Sequence, residues 1–107
     1  MKPQNPPIST SNHLVTLILR VRPSFISRMR VIAHDLVVTS RADDGCLIYL
    51  AAESLETEGL FLITSAWRDK DAYEKHRASP YVRAFESQIV PEILREPAKI
   101  SSWQKIA

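Results

Sequence analysis

WRDKDAYEKHRASPYVRAFESQI, residues Trp67 to Ile89, closes an apolar run and opens a helical one. Upstream stand Leu60-Phe61-Leu62-Ile63 and Thr64-Ser65-Ala66; downstream the chain turns polar at Arg68-Asp69-Lys70-Asp71. Strand formers followed by Asp and a helical period predict a strand feeding a helix. Ser79-Pro80 marks a second start, with Ser79 as candidate N-cap and Pro80 at the first helical position, where its missing N–H costs nothing. The stretch therefore predicts a strand, a short helix lying as a lid across the strand's end, and a second helix. It also gathers Trp67, Tyr73, His76 and Tyr81, most of the side chains able to do chemistry.

Working outward, residues 13–22 alternate. Val15, Leu17, Leu19 and Val21 fall on one side, and Thr16, Ile18, Arg20 and Arg22 on the other, a strand with one apolar and one mixed face. Pro23-Ser24 ends it and opens a helix whose apolar stripe is Phe25, Met29, Ile32 and Leu36, widened by Ile26, Ala33 and Val37. The β-branched run Val37-Val38-Thr39 predicts fraying near Ser40. Asp43-Asp44-Gly45 reads as a turn with Gly45 free to take positive φ. Residues 46–53 form a second strand, 55–59 a hairpin loop and 60–68 a third strand. On the helix after Pro80, Val82, Phe85 and Ile89 share a face. Pro91 interrupts that helix, and Pro97 precedes a last strand over 98–106. Residues 1–12, MKPQNPPISTSN, read as an extended, mobile N-terminal arm ahead of a single domain at 13–107.

The order β-α-β-β-α-(α)-β predicts an α+β, ferredoxin-like split βαβ fold: four antiparallel strands in one sheet with helices on one face. The other sheet face is then bare, and an extended apolar surface does not stay in water. Val15, Leu17, Leu19, Leu60 and Leu62 offer an apolar set for it. The expectation is a homodimer, two sheets closed face to face over roughly 2,000 Å² or more.

The 107 residues bound the rest. A single domain of this size hides roughly two-thirds of its unfolded surface. A net charge of +2, with no long basic run, argues against nucleic-acid binding. One cysteine, Cys46, excludes an internal disulfide and fits a reducing, cytoplasmic setting. The apolar stretches are shorter than the ~20 residues of a membrane span, and no apolar signal core opens the chain. The three histidines and one cysteine show no metal-ligand spacing, and two glycines make no phosphate-cradling loop.

A pocket in such an architecture lies between the sheet and its helices, inside one subunit. Phe61, Ile63, Ser65 and Trp67 share a strand face, and Tyr73 and His76 are neighbours on the short helix. An apolar cleft with two or three polar groups suits a small aromatic ligand. Each residue also has a plainer reading. Trp67, Tyr73 and Tyr49 serve equally as core packing, His76 as a histidine near a helix end, and Cys46 as a small buried hydrophobe. His13 and His34 read as unrelated to the site.

Trp67, Asp69, Ala72, His76, Ser79-Pro80 and Phe85, together with Asp44-Gly45-Cys46-Leu47-Ile48-Tyr49, resemble the antibiotic biosynthesis monooxygenase family over residues 13–106. That resemblance implies a dimeric α+β barrel. It implies oxygenation of an electron-rich aromatic, a quinol or polyketide phenol, with O2 and without flavin, haem or metal, so no cofactor. By the same resemblance His76 is the base or an anchor, Tyr73 its hydrogen-bonding partner, and Trp67 an apolar wall and N–H donor. Tyr49, Phe61, Ile63, Ser65 and Phe85 line the substrate. The pattern departs in two places. Ile63, Thr64 and Ser65 stand where the quinol oxygenases carry Asn. No Asn occurs in Val15 to Val21, and Glu86 stands where haem-degrading relatives place their histidine, which disfavours haem degradation. Two further functions share the barrel: an isomerase or lyase on a small carbonyl compound, and a non-catalytic binding or stress-associated dimer.

Overall fold

A computed structural model of the chain describes residues 13–107, so the arm expected at 1–12 lies outside the described residues. The strands are β1 (His13–Arg20), β2 (Cys46–Glu53), β3 (Leu60–Trp67) and β4 (Lys99–Gln104). The helices are α1 (Ile26–Arg41, entered through a 3-10 turn at Pro23–Phe25), α2 (Lys70–Arg77), α3 (Pro80–Ala84) and α4 (Val90–Ile93). The last two are joined by a π-helical turn at Phe85–Ile89. The strands form one sheet in the order β2-β3-β1-β4, every pairing antiparallel. This is the ferredoxin-like arrangement.

Register decides which side chains the helices cover. Val15 pairs with Ser65, Leu17 with Ile63 and Leu19 with Phe61, and Tyr49 pairs with Ser65 from the other side. Directly paired residues point to the same face. Val15, Leu19, Tyr49, Phe61, Ile63, Ser65 and Trp67 are all buried there, with Met29, Ala33 and Leu36 of α1. The bare face consists instead of Leu14, Thr16 and Ile18 with Leu62, Thr64 and Ala66, and of Ile48 and Leu50 at the β2 edge. The apolar set expected for the bare face is therefore split. Leu60 and Leu62 belong to it, whereas Val15, Leu17 and Leu19 look inward. The inward strand faces carry the stronger hydrophobes because two layers bury them. The outward face still exposes Ile48 at 54% and Trp103 at 55%.

Local boundaries follow from caps and prolines. Asp69 caps α2, its carboxylate accepting from Ala72 N–H at 2.9 Å. Ser79 precedes Pro80 at the start of α3, but its hydroxyl does not cap that helix. It donates back to the carbonyl of His76 at 2.6 Å and so closes the end of α2. Helix α1 does not fray at Ser40; it runs to Arg41, and Ser40 is wholly buried. Pro91 does not break the second helix either. It has no N–H for the carbonyl four residues back. The ladder widens just before it, with Val90 N–H reaching Phe85 O, and helix continues through Ile93. β4 is shorter than the 98–106 span expected.

Gly45 and Gly59 take φ of +81° and +79°, the left-handed region in which only glycine is unstrained. At the sheet edge, Arg41 Nε donates to the Tyr49 carbonyl at 3.0 Å, and Arg30 holds Glu53 through two contacts of 2.7 and 2.9 Å.

Candidate functional site

The hairpin β2–β3 builds the site. Its antiparallel register sets Cys46 beside Trp67, so the turn before β2 lies beside the segment after β3. Arg68 N–H donates to Gly45 O at 2.8 Å and locks the two together. The turn thereby delivers Asp43 to α2. Asp43 Oδ2 lies 2.8 Å from His76 Nδ1 and accepts from the Tyr81 hydroxyl at 2.7 Å. Tyr81 Oη lies 3.2 Å from both His76 Nδ1 and Ser40 Oγ. Four segments meet here: the end of α1, the β2 turn, α2 and α3.

A carboxylate only accepts, so the Asp43 contact places a proton on Nδ1. Nε2 is then the basic nitrogen of the neutral ring. Among the described residues nothing hydrogen-bonds Nε2, and no buried polar side-chain atom is left without a partner. His76 as a whole is only 7% exposed. The ring is clamped by aromatics, with Trp67 at 4.4 Å between centroids, Tyr49 at 5.6 Å and Tyr81 at 5.9 Å.

His76 borders a cavity of about 50 Å³ between the sheet and the helices. Of the residues expected to form the site, Tyr49, Ile63, Ser65, Tyr73, His76 and Phe85 line this void. Two do not. Trp67 is fully buried beneath His76, and its indole N–H is committed to Ser65 Oγ at 2.9 Å. The N–H is thus not free for a ligand; the indole contributes packing. Phe61 shares the strand face but sits toward the other end of the sheet, where it lines a separate groove between α1 and β2. Tyr73 packs on His13, ring centroids 5.2 Å apart, so His13 is part of this surround after all; His34 is not.

Burial sets the tyrosines' acidity. It pushes the Tyr49 phenol up to about 12, a nearby Ser40 hydroxyl opposing part of the rise. It raises Tyr73 and Tyr81 as well, and Tyr81's bond to the Asp43 carboxylate adds to the rise. These phenols are neutral hydrogen-bonding groups near pH 7. Glu86 stands at the cavity's rim and pairs with Arg77 at 3.4 Å. Among the described residues no group of three or more His, Cys, Asp or Glu side chains converges as metal ligands would. No helix among them is long and apolar enough to cross a membrane.

Asp43 and Ser40 are the members that sequence reasoning missed. Asp43 read as a turn residue and Ser40 as a frayed helix end. One signal was present for Asp43. In a hairpin, residues just before the first strand must lie against those just after the second, which puts 43–45 beside the lid helix.

The family model described as antibiotic biosynthesis monooxygenase matches residues 13–88. The chain belongs to the antibiotic biosynthesis monooxygenase family. Among similar proteins of this kind is "Putative monooxygenase Rv0793" of Mycobacterium tuberculosis, 30% identical over 80 residues, which are 75% of this chain and 77% of that one. The solved structure of Rv0793 superposes with a TM-score of 0.83 at 27% identity, over 91% of this chain and 97% of that one. "Uncharacterized protein sll1783" of Synechocystis is 26% identical over 86 residues, 80% of this chain. This family member spans only 58% of that relative's length. PA3566 of Pseudomonas aeruginosa shares the fold, with a TM-score of 0.83 at 24% identity over 92% of this chain and 98% of that one.

Proposed function

We propose that this family member is a cofactor-independent monooxygenase that oxidises a small electron-rich aromatic, a quinol or polyketide phenol, with O2. The observation that carries the reading is His76, buried at the wall of an apolar cavity and paired with the half-buried Asp43. Histidine titrates near 6.5 in water, close to working pH, as a general base requires. His76 Nε2 takes the proton of the bound phenol or of its activated methylene, and Asp43 stabilises the imidazolium that forms. Tyr81 holds Asp43 in place, and Tyr73 offers a neutral hydroxyl to the substrate oxygen. Tyr49, Ile63, Ser65 and Phe85 shape the void, and Trp67 fixes the imidazole plane from below. Exclusion of water strengthens each of these interactions.

The electrons come from the substrate. For an anthrone, the methylene carbon loses two hydrogens and gains one oxygen atom. The second atom of O2 leaves as water, which balances the reaction without an added reductant. The protein's part is to form the anion and hold it away from bulk water while it meets O2.

The bare sheet face supports a homodimer as the working form, two sheets packing through Ile48, Leu50, Leu62 and Trp103. A reducing, cytoplasmic setting fits the single unpaired thiol, Cys46.

Oxygen uptake over a panel of dihydroxynaphthalenes and anthrones tests the reading. We expect turnover with one O2 consumed per quinone formed, and ¹⁸O from labelled O2 in the product. Uptake no faster than the buffer blank across the panel overturns it. Ligand-induced stabilisation without turnover then marks a non-catalytic binding protein. A second reading, an isomerase or lyase on a small carbonyl compound, draws on the size of the void, since about 50 Å³ suits a ligand of few atoms.

A further inference from the structure

Leu36 and Phe85 each face two voids. One is the cavity of about 50 Å³ beside His76. The other is a groove of about 200 Å³ between α1 and the α3–π segment, bounded also by Thr39, Tyr81 and Ile89. Because both voids count Leu36 and Phe85 among their walls, these two side chains are the partition between them. Tyr81 ties the groove to the same polar cluster, its ring on the groove wall and its hydroxyl on Asp43.

Volume makes the partition matter. At about 50 Å³ the inner cavity has room for a few water molecules, well short of the space a fused-ring ligand needs. Small-molecule pockets run from about 300 Å³ upward. The two voids joined approach that range; neither reaches it alone. The backbone favours movement at the right place. Phe85 opens the π-helical turn, where hydrogen bonds skip one residue and the ladder is weakest, and such turns concentrate at functional sites.

We propose that the substrate site is these two voids joined and that Leu36 and Phe85 set the size of the substrate it admits. The reacting end of the substrate sits at His76 and its distal end lies in the groove against Thr39 and Ile89. The phenolic class of the substrate rests on the monooxygenase reading; the two-chambered shape does not.

Binding of 2-naphthol under nitrogen, where no turnover occurs, tests the shape by tryptophan fluorescence. Phe85→Leu and Leu36→Ala lower the partition and should tighten binding at least tenfold. Both positions are buried, so a third variant guards against misfolding. Thr39→Trp, at an exposed position, fills the groove from outside and should weaken 2-naphthol at least tenfold while melting like the wild type. Val38→Trp, exposed on the same helix but off the groove, should bind as the wild type does. Unchanged affinity in Thr39→Trp, or no binding by the wild type and both partition variants, overturns the inference. The expected pattern of affinities with no oxygen uptake on any quinol would sink the monooxygenase reading and leave the shared chamber standing. Turnover whose ring-size preference none of the variants alters would do the reverse.

Discussion

His76 Nδ1 lies 2.8 Å from Asp43 Oδ2, although 33 positions separate them in the chain. The contact depends on no helical or strand spacing; it exists because a hairpin folds the turn before β2 against the helix after β3. Asp43 accepts from Tyr81 as well, so one carboxylate organises both the imidazole and the phenol.

Asp43→Asn should keep the shape of the contact and lose its charge. For the proposed oxygenation we expect kcat to fall at least tenfold, about 1.4 kcal/mol or more of transition-state stabilisation, with KM little changed. The downfield Nδ1 proton resonance of His76 should shift or vanish in parallel. An unaltered kcat with an altered resonance would remove Asp43 from the mechanism.

His76→Ala should lower turnover at least tenfold as well, and Asp43→Asn added to it should cost little more, because residues acting as one unit are not additive. Two independent, multiplying losses would show that Asp43 acts elsewhere.

Gly45→Ala should destabilise the fold by more than about 2 kcal/mol. The φ of +81° is strained for alanine, and the new Cβ would lie 2.5 Å from the Cβ of Ala72. Thermal melting measures the loss. Because Gly45 sits between the Asp43 turn and α2, activity should drop at temperatures where the chain is still folded. A melting temperature like that of the wild type would contradict the tight approach of the turn to α2.

Alkaline pH should unfold the chain through its buried phenols. Folded Tyr49 stays neutral to about 12, whereas an unfolded tyrosine ionises near 10. The stability tied to this group is full below pH 10 and is lost as pH climbs through 12, about 2 to 3 kcal/mol in all. Tyr49→Phe should flatten the fall in denaturation midpoint between pH 10 and 12. An identical slope in the variant would mean that Tyr49 ionises freely in the folded chain.

Leu50→Lys on the bare sheet face should convert the proposed dimer to monomer at micromolar concentration, read by sedimentation equilibrium. The side chain points away from the helices, so a folded monomer is the expected product. A wild type that sediments as a monomer would remove the face-to-face dimer.

The sequence was most legible where one periodicity dominated. The Cys46–Glu53 strand, the Leu60 start of β3, the α1 stripe and the opening of a helix soon after Trp67 all follow from local chemistry. Sheet orientation was harder. In β1, Leu14 and Ile18 make the outer face nearly as apolar as the Val15, Leu17 and Leu19 face, so alternation alone does not say which side the helices cover. Only pairing of Leu17 with Ile63, a relation between distant segments, resolves it. The site divides the same way. Tyr73 and His76 are visible as helix neighbours, and Ile63 and Ser65 as strand neighbours. Asp43 and Ser40 come from other segments, and no short-range pattern marks them. The commitment of the Trp67 N–H to Ser65 is a side-chain choice between two groups on one strand face, which composition does not reveal.

The Arg41 guanidinium seated on the Tyr49 carbonyl has a bearing beyond the site. β2 is an outer strand, and the unpaired backbone of an outer strand is a template for fibrillar association. With that carbonyl taken, an incoming strand from another molecule must first evict the Arg41 guanidinium, and the ion pair of Arg30 with the Glu53 side chain adds charge farther along. Arg41 of the first helix thus disfavours the addition of a foreign strand along this border.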